Sequence, residues 1–127
     1  MNELLTLDDP ETLSLILGVV EPYGVYPLSS DDAETFFTVL LSHYSGPSER
    51  GCLVDWLNNQ LSTLFVSVGE RPRWIQNPDW QFAHGKPMIF AGQIDISKKA
   101  FPFYHDDTSL YIFIASKEEP RVVVQQY

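Results

Sequence analysis

The spacing of apolar residues changes near residue 64, and this change most constrains the fold of the 127-residue chain. Before it, apolar side chains recur every three to four residues, which is the period of a helix with one buried face. After it, short β-branched and aromatic runs alternate with glycine, proline and charged residues, which is typical of strands. Helices followed by strands predict an α+β fold, in which N-terminal helices pack on an antiparallel sheet formed mainly by the C-terminal half. We expect a single domain over 1–127, with a helical part at about 8–62 and a sheet part at about 64–126.

The first predicted helix has a clear start signal at residues 8–10, which read Asp-Asp-Pro. An aspartate offers a side-chain cap, and proline is favoured at the first helical position. We expect one aspartate of the pair to cap. The buried stripe of this helix is predicted to be Leu13, Ile16 and Leu17.

Two further helices are predicted before residue 62. Ser30 or Asp31 is expected to cap the second, and Asp31 with Glu34 has the spacing of a capping box. Ser48 is expected to cap the third. The apolar faces are predicted to be Phe36, Phe37, Leu40, Leu41 and Tyr44 in the second helix, and Cys52, Leu53, Trp56, Leu57 and Leu61 in the third.

Four strands are predicted in the second half, at 64–68, 88–96, 110–115 and 121–125. Each is short and rich in β-branched or aromatic residues, and turn-forming residues separate them. The segment 117–120 reads Lys-Glu-Glu-Pro and is predicted to be the hairpin connection between the last two strands.

The charge of the chain is divided unevenly along its length. The first 49 residues contain nine carboxylates and no lysine or arginine, whereas the rest has eight acidic and eight basic residues, so the net charge of −9 belongs to the front. Phosphate-backbone binding needs lysine and arginine, so no nucleic-acid partner is expected. The charge favours a basic protein partner, and a merely solubilising role is the alternative. The predicted partner-binding residues, here called the acidic surface, are Glu11, Asp31, Asp32 and Glu34.

The composition also predicts a compartment. Cys52 is the single cysteine, which excludes an intramolecular disulfide and fits a reducing environment. The N-terminus lacks a basic stretch followed by an apolar run, so no signal peptide is expected. The longest apolar runs are far shorter than the roughly 20 residues of a membrane span. We therefore expect a cytoplasmic protein without membrane contact.

The segment from residue 69 to residue 95 carries a resemblance to a known family. It reads Gly-Glu-Arg-Pro-Arg-Trp-Ile-Gln-Asn-Pro-Asp-Trp and then Gly-Lys-Pro-Met-Ile-Phe-Ala-Gly-Gln-Ile-Asp, and a Leu-Tyr-Ile-Phe strand follows at 110–113. This pattern resembles the YwqG-like family of bacterial proteins over roughly residues 68–114. The resemblance implies that related domains occur among immunity proteins of bacterial toxin systems. It transfers no catalytic residue.

The same segment has a physical interpretation of its own. Prolines at 72 and 78 bracket the Trp-Ile-Gln element and favour an extended connection. Indoles bring large apolar area, and amides satisfy the backbone groups of loops. We favour a scaffolding role for Trp74, Gln76, Trp80 and Gln93. The alternative is a pocket that these four side chains line, because amides and indoles are also common in ligand sites.

No pattern in the sequence predicts a catalytic, metal or cofactor site. A His-Asp-Asp run at 105–107 is the one local cluster of histidine and carboxylates, but consecutive residues of an extended segment do not point at one centre, and His43 and His84 are far away in sequence. The Gly-Lys pair at 85–86 lacks the rest of a phosphate loop. Cys52 falls on an apolar helix face and is expected to be an inert hydrophobe.

Two functions from different classes remain open at this point. The first is a cytoplasmic immunity protein that neutralises a basic toxin by occluding its active or substrate-binding face, steered by the acidic surface. The second is a small-molecule- or peptide-binding domain, or an enzyme, with its pocket around Trp74, Gln76, Trp80 and Gln93. We favour the first, a protein-binding module rather than an enzyme.

Overall fold

The fold is α+β, as predicted. A computed structural model describes residues 5–47, 49–99 and 106–127. Its helices are α1 (Pro10–Val20), α2 (Asp31–Ser42) and α3 (Arg50–Leu64), and a short 3₁₀ helix (Glu21–Tyr23) follows α1. The strands are β1 (Phe82–Ala83), β2 (Lys86–Pro87), β3 (Ile89–Ile96), β4 (Thr108–Ile114) and β5 (Arg121–Gln126). β1 pairs with β2, and the main antiparallel sheet has the order β3-β4-β5.

The start signal of α1 is confirmed at Asp9. Its carboxylate accepts hydrogen bonds from the Thr12 amide at 3.0 Å and the Thr12 hydroxyl at 2.7 Å, which lowers the pKa of Asp9. Pro10 follows at the first helical position. The buried stripe differs from the prediction at two of its three residues, while Ile16 is buried as predicted. Leu13 and Leu17 are half-buried, and the fully buried residues are Thr12, Leu15, Ile16 and Val20.

The cap of α2 is Ser30, whose hydroxyl accepts from the Ala33 amide at 3.1 Å. With Ser30 as cap, the third helical residue is Ala33, so the predicted capping box of Asp31 and Glu34 is wrong. Of the two predicted caps, Ser30 is therefore confirmed, and Asp31 lies at the first helical position. For α3, the predicted cap at residue 48 lies outside the described residues, and the cap position belongs to Glu49, whose side chain makes no capping hydrogen bond.

Three of the four predicted strands are confirmed, and the first one is wrong. α3 continues to Leu64, because Phe65 extends the four-residue spacing of its buried face and the Phe65 amide still donates to the Leu61 carbonyl. Within the predicted strand, an isolated parallel bridge joins Ser67 to Phe90. The hairpin connection between β4 and β5 is confirmed. The β1–β2 hairpin was not predicted; its turn residues at 84–85 both have positive φ, as in a type I′ turn.

A bulge in β3 changes which residues face the core. The pairing shifts between Phe90 and Gly92, so that Phe90 opposes Phe113 while Gln93 opposes Tyr111. Tyr111 and Phe113 are two residues apart and share one side of β4. Phe90 and Gln93 therefore face the same side, although a regular strand would turn them to opposite sides. We call this side, which packs against the core, the inner face.

The core lies between the helices and the inner face. A row of aromatic contacts connects the helices to the sheet. Phe37 stacks on Phe65, with ring centroids 5.8 Å apart. Trp80 contacts Phe65 at 5.2 Å and Phe113 at 5.5 Å between centroids. All four rings are buried. Burying a ring of this size contributes about 2–3 kcal/mol. Among the described residues, no helix has the length and hydropathy to cross a membrane.

A substitution at Gly24 tests the close contact between the helical part and the segment that contains Pro72 and Trp74. Gly24 has a φ of +76°, and a β-carbon there would lie 3.2 Å from Pro72 Cγ and 3.3 Å from Trp74 Nε1. Gly24→Ala is expected to lower the free energy of unfolding by about 1–3 kcal/mol. The matched control is Gly18→Ala in α1, where nothing lies within 4 Å and alanine should stabilise by up to about 1 kcal/mol. Urea denaturation of both variants measures this, and equal stabilities would contradict the contact.

Candidate functional site

Residues 72–78, which we call the strap, cross the inner face of the sheet without forming a strand. Gln93 on β3 binds the first part of the strap: its Oε1 accepts from the Arg73 amide at 2.8 Å and its Nε2 donates to the Arg73 carbonyl at 3.2 Å. The Tyr111 hydroxyl on β4 also donates to that carbonyl, at 2.7 Å, and accepts from the Ile75 amide at 3.1 Å. Burial raises the pKa of this Tyr111 phenol, so it stays a donor at neutral pH.

The third strand binds the far part of the strap through Gln125. Its Oε1 accepts from the Ile75 amide at 3.0 Å and the Gln76 amide at 2.9 Å, and its Nε2 donates to the Asn77 carbonyl at 2.9 Å. Gln125 is buried. Each strand of the sheet thus supplies one side chain to the backbone of the strap, which replaces the ladder that an irregular segment lacks.

Trp74 connects the strap to the helical part. Its indole stacks on Tyr111, with centroids 4.4 Å apart and an interplanar angle of 27°. Its Nε1 donates to the Gly24 carbonyl, just after the 3₁₀ helix, at 2.8 Å. The indole therefore packs on the sheet and binds the end of the α1 region at the same time.

The four residues of the predicted pocket occupy three different environments. Trp74 and Gln93 lie side by side at the strap. The Gln76 side chain is exposed and donates to the Gln126 carbonyl at 3.0 Å. Trp80 is 1% exposed, packs in the core and donates to the Met88 carbonyl at 2.9 Å. The structure therefore brings Trp74 and Gln93 together and leaves Gln76 and Trp80 elsewhere.

A cleft of about 440 Å³ lies beside Trp74 and Gln93. At its wall, Asp95 accepts from Ser109 Oγ at 2.6 Å, Gln93 Nε2 at 2.8 Å and Arg73 Nη2 at 3.1 Å. The Ser109 bond contributes most to holding the pKa of Asp95 below its usual range. Arg73 also pairs with Glu70 at 2.8 Å. These groups bind one another, so the wall is a closed polar network.

The acidic surface presents its charges to solvent. Glu11 lies in the first turn of α1, and Asp31, Asp32 and Glu34 lie in the first turn of α2, and all four are exposed. Within residues 5–47, 49–99 and 106–127, no carboxylate before residue 50 takes part in an ion pair. The ion pairs there lie in the second half and join Arg73 to Glu70 and Asp95, and the His84 ring contacts the Glu118 carboxylate.

The outer face of the main sheet is apolar and exposed. Ile94, Leu110 and Val124 form one row across the three strands, and Ile94 and Val124 are 49% and 55% exposed. Val122, on the next row, is 54% exposed. An apolar face of this kind is a candidate for contact with another protein.

The candidate metal residues are only partly described. Residue 105 lies outside the described residues. Asp107 lies just before β4, and its Oδ1 accepts a hydrogen bond at 3.0 Å from the amide of Lys98, just after β3. In the part of the chain that the structure describes, there is no group of three or more histidine, cysteine, aspartate or glutamate side chains arranged to hold a metal ion. Of the Gly-Lys pair at 85–86, Gly85 lies in the turn of the β1–β2 hairpin and Lys86 is the first residue of β2, opposite Ala83.

Sequence reasoning missed Tyr111, Gln125 and Asp95 as members of the site. A signal existed for Gln125, since it follows three valines in a strand pattern in which alternate residues face the core. A buried glutamine at such a position needs a backbone partner. The partner itself is about 50 residues away and could not be read from the strand.

Gln125→Ala tests the hydrogen bonds that hold the strap. Removal of this buried amide leaves the Gln76 amide and the Asn77 carbonyl without their partner, so the free energy of unfolding should fall by about 1–3 kcal/mol. The control is Gln126→Ala on the next residue, which is exposed and whose Nε2 makes one hydrogen bond, to Thr108 Oγ1 at 3.2 Å, so the expected loss is smaller, about 0.5–1 kcal/mol. Urea denaturation monitored by Trp fluorescence compares them. A fully stable Gln125→Ala variant would show that the strap does not depend on this side chain.

The lowered pKa of Asp95 predicts how its contribution to stability depends on pH. The unfolded pKa is about 3.9 and the folded pKa is lower, so the contribution is present above about pH 3.9 and is lost as the pH falls through the folded pKa. Asp95→Asn should therefore be less stable than the wild type at pH 6, and the difference should shrink toward pH 3. Urea midpoints across this range measure it. A difference that stays constant with pH would contradict an ionised Asp95 as the acceptor.

The chain matches no protein-family model, no curated protein and no solved structure. The resemblance of residues 68–114 to the YwqG-like family therefore stays a prediction. The function proposed below therefore rests on the charges, clefts and contacts of the molecule itself.

Proposed function

We propose that this chain is a protein-binding module whose acidic N-terminal half recognises a basic protein. The single observation that carries the proposal is the state of the front carboxylates. Those among the described residues are exposed, and they form no ion pair there. Exposed carboxylates that form no ion pair keep a negative field, which attracts a basic partner from a distance and fixes its orientation.

The position of the charges on the helices supports the same proposal. Asp9 is the one carboxylate of this region that caps a helix through its side chain. Ser30 caps α2, which leaves Asp31 and Asp32 free of that role. A pair of aspartates that does not serve the helix through capping is available for a partner. In a first turn, each aspartate also interacts favourably with the helix macrodipole, which stabilises the helix by about 0.3–1 kcal/mol.

We further propose that the partner is a basic bacterial toxin and that the chain acts as a cytoplasmic immunity protein. The resemblance to the YwqG-like family supports this identification of the partner class. In this proposal the chain covers the active or substrate-binding face of the toxin. A toxin that acts on nucleic acid has a basic face for its substrate, and an acidic surface competes for that face by the same electrostatics.

One observation favours the alternative of a small-molecule- or peptide-binding domain. The cleft of about 440 Å³ has Trp74 and Gln93 in its wall, and this size is within the range of ligand sites. The side chains of its polar wall already bind one another, which supports binding there less than a set of free groups would. A thermal-shift screen with metabolites separates the two functions, because a ligand of the cleft would raise the melting temperature.

Neutralising the acidic surface tests the proposed function. The variant Glu11→Gln, Asp32→Asn, Glu34→Gln is expected to associate more slowly with the proposed basic toxin, and the salt dependence of the association rate should weaken. Stability should change by no more than about 1–2 kcal/mol, since these residues are exposed and the changes remove mainly macrodipole interactions. Stopped-flow association rates between low and moderate salt measure the effect.

The control for this variant neutralises exposed carboxylates of the sheet half, with Asp106→Asn and Glu119→Gln. Per charge removed, the control should slow association less. An equal effect per charge would show that only net charge matters. An unchanged rate and salt slope in the triple variant would mean that the front charge serves solubility.

A further inference from the structure

A second cleft, of about 400 Å³, lies where the end of α1 meets the far end of the strap. It is a place where the acidic half and the sheet half contribute to one concave surface. The loop after the 3₁₀ helix supplies part of the wall. The lining residues, here called the α1 cleft, are Leu17, Glu21, Val25, Tyr26, Asn77 and Pro78.

The α1 cleft combines an apolar lining with free polar groups. Leu17, Val25 and Pro78 supply the apolar part, and Val25 is buried. The side chains of Glu21, Tyr26 and Asn77 form no hydrogen bond or ion pair with any other described residue. This differs from the cleft beside Trp74, in which the polar side chains bind one another.

The polar groups of the α1 cleft select a cation. Glu21 brings a carboxylate, and it stands at the C-terminal cap of α1, where the helix carbonyls carry partial negative charge. The last turn of α1 has no basic residue to balance that charge. A tyrosine ring and an asparagine carbonyl add further favourable contacts for a positive group. The apolar lining suits the methylene stem of a long side chain.

The neighbouring turn already holds one cation in this way. Arg71 lies with its guanidinium carbon 4.3 Å from the centroid of the Tyr23 ring, and its Nη1 donates to the Pro22 carbonyl. A carbonyl after α1 and an aromatic ring thus bind an arginine of the chain itself. The α1 cleft presents the same two kinds of group, and it adds a carboxylate.

We infer that the α1 cleft is a binding site for a lysine or arginine side chain of the basic partner. This inference rests on the proposed function and deepens it, since it names the anchor of the interface. The stem of the partner's side chain lies along Leu17 and Pro78, and its charged end reaches Glu21. The acidic surface speeds the encounter, and the α1 cleft holds the complex after it has formed.

Capped tripeptides test the site without the partner. The probes are acetyl-Gly-Arg-Gly-amide and acetyl-Gly-Lys-Gly-amide, and the matched apolar control has norleucine at the centre. In ¹⁵N NMR titrations at constant ionic strength, both basic probes should give saturable shifts at the amides of Leu17, Glu21, Tyr26 and Asn77. Norleucine should bind more weakly. Shifts that do not saturate, or that fall on the acidic surface instead, would overturn the inference.

Substitutions of Glu21 sharpen the test. Glu21→Gln should weaken the basic probes by up to about fivefold, the upper end for an exposed ion pair, while Glu119→Gln, an exposed carboxylate of the sheet half, should leave their affinity unchanged. Glu21→Lys should abolish probe binding because its own cation occupies the cleft. It should also raise the melting temperature slightly, since a cation suits the end of α1. Wild-type affinity in Glu21→Lys would contradict the site.

Kinetics with the basic toxin separate the failure of this inference from the failure of the proposed function. Glu21→Gln is expected to raise the dissociation rate, whereas the triple variant of the acidic surface lowers the association rate. If the triple variant slows association and Glu21→Gln leaves dissociation unchanged, only the α1 cleft is wrong. If neither variant changes a rate, the proposed function fails as well.

Discussion

The structure depends on the hydrogen bonds that the sheet makes to the backbone of the strap. This segment has no ladder partner, yet it crosses the inner face against the core, where an unpaired amide or carbonyl would cost about 1–3 kcal/mol. Gln93, Tyr111 and Gln125, one from each strand, bind its backbone groups. Once the strap is fixed in this way, Trp74 can stack on the sheet and bind Gly24, which joins the two halves of the chain.

Charge is distributed over the fold in the same two parts. Cations and carboxylates pair within the sheet half, as in the set of Glu70, Arg73 and Asp95. The carboxylates of the helical half face solvent at the first turns of α1 and α2. The strap brings the sheet half, which has no net charge, against the end of α1, so the acidic half and the sheet half both contribute walls to the α1 cleft. A partner seated there would meet the acidic field and an apolar lining together, which is the combination that gives both rate and affinity.

Local signals in the sequence predicted most of the secondary structure. The aspartates and proline at 8–10 fix the start of α1, and strand-like runs mark β3, β4 and β5 to within two residues. The errors occurred where two local signals competed. Ser30 and Asp31 are both good caps, and because Ser30 caps α2 the third helical residue is Ala33, so the predicted capping box of Asp31 and Glu34 does not form. The run at 64–68 is β-branched and aromatic, but Phe65 also continues the buried face of α3.

The sequence by itself determined the α+β order of elements, the division of charge and the presence of amides near the Trp-Ile-Gln element. Only the tertiary structure decided what those amides do. The bulge between Phe90 and Gly92 turns Gln93 toward the strap. No local sequence pattern predicts a single extra residue in a strand. Gln125 and the strap meet across about 50 residues of chain. Such contacts are fixed by the register of three strands and by core packing, which are properties of the whole fold rather than of any segment.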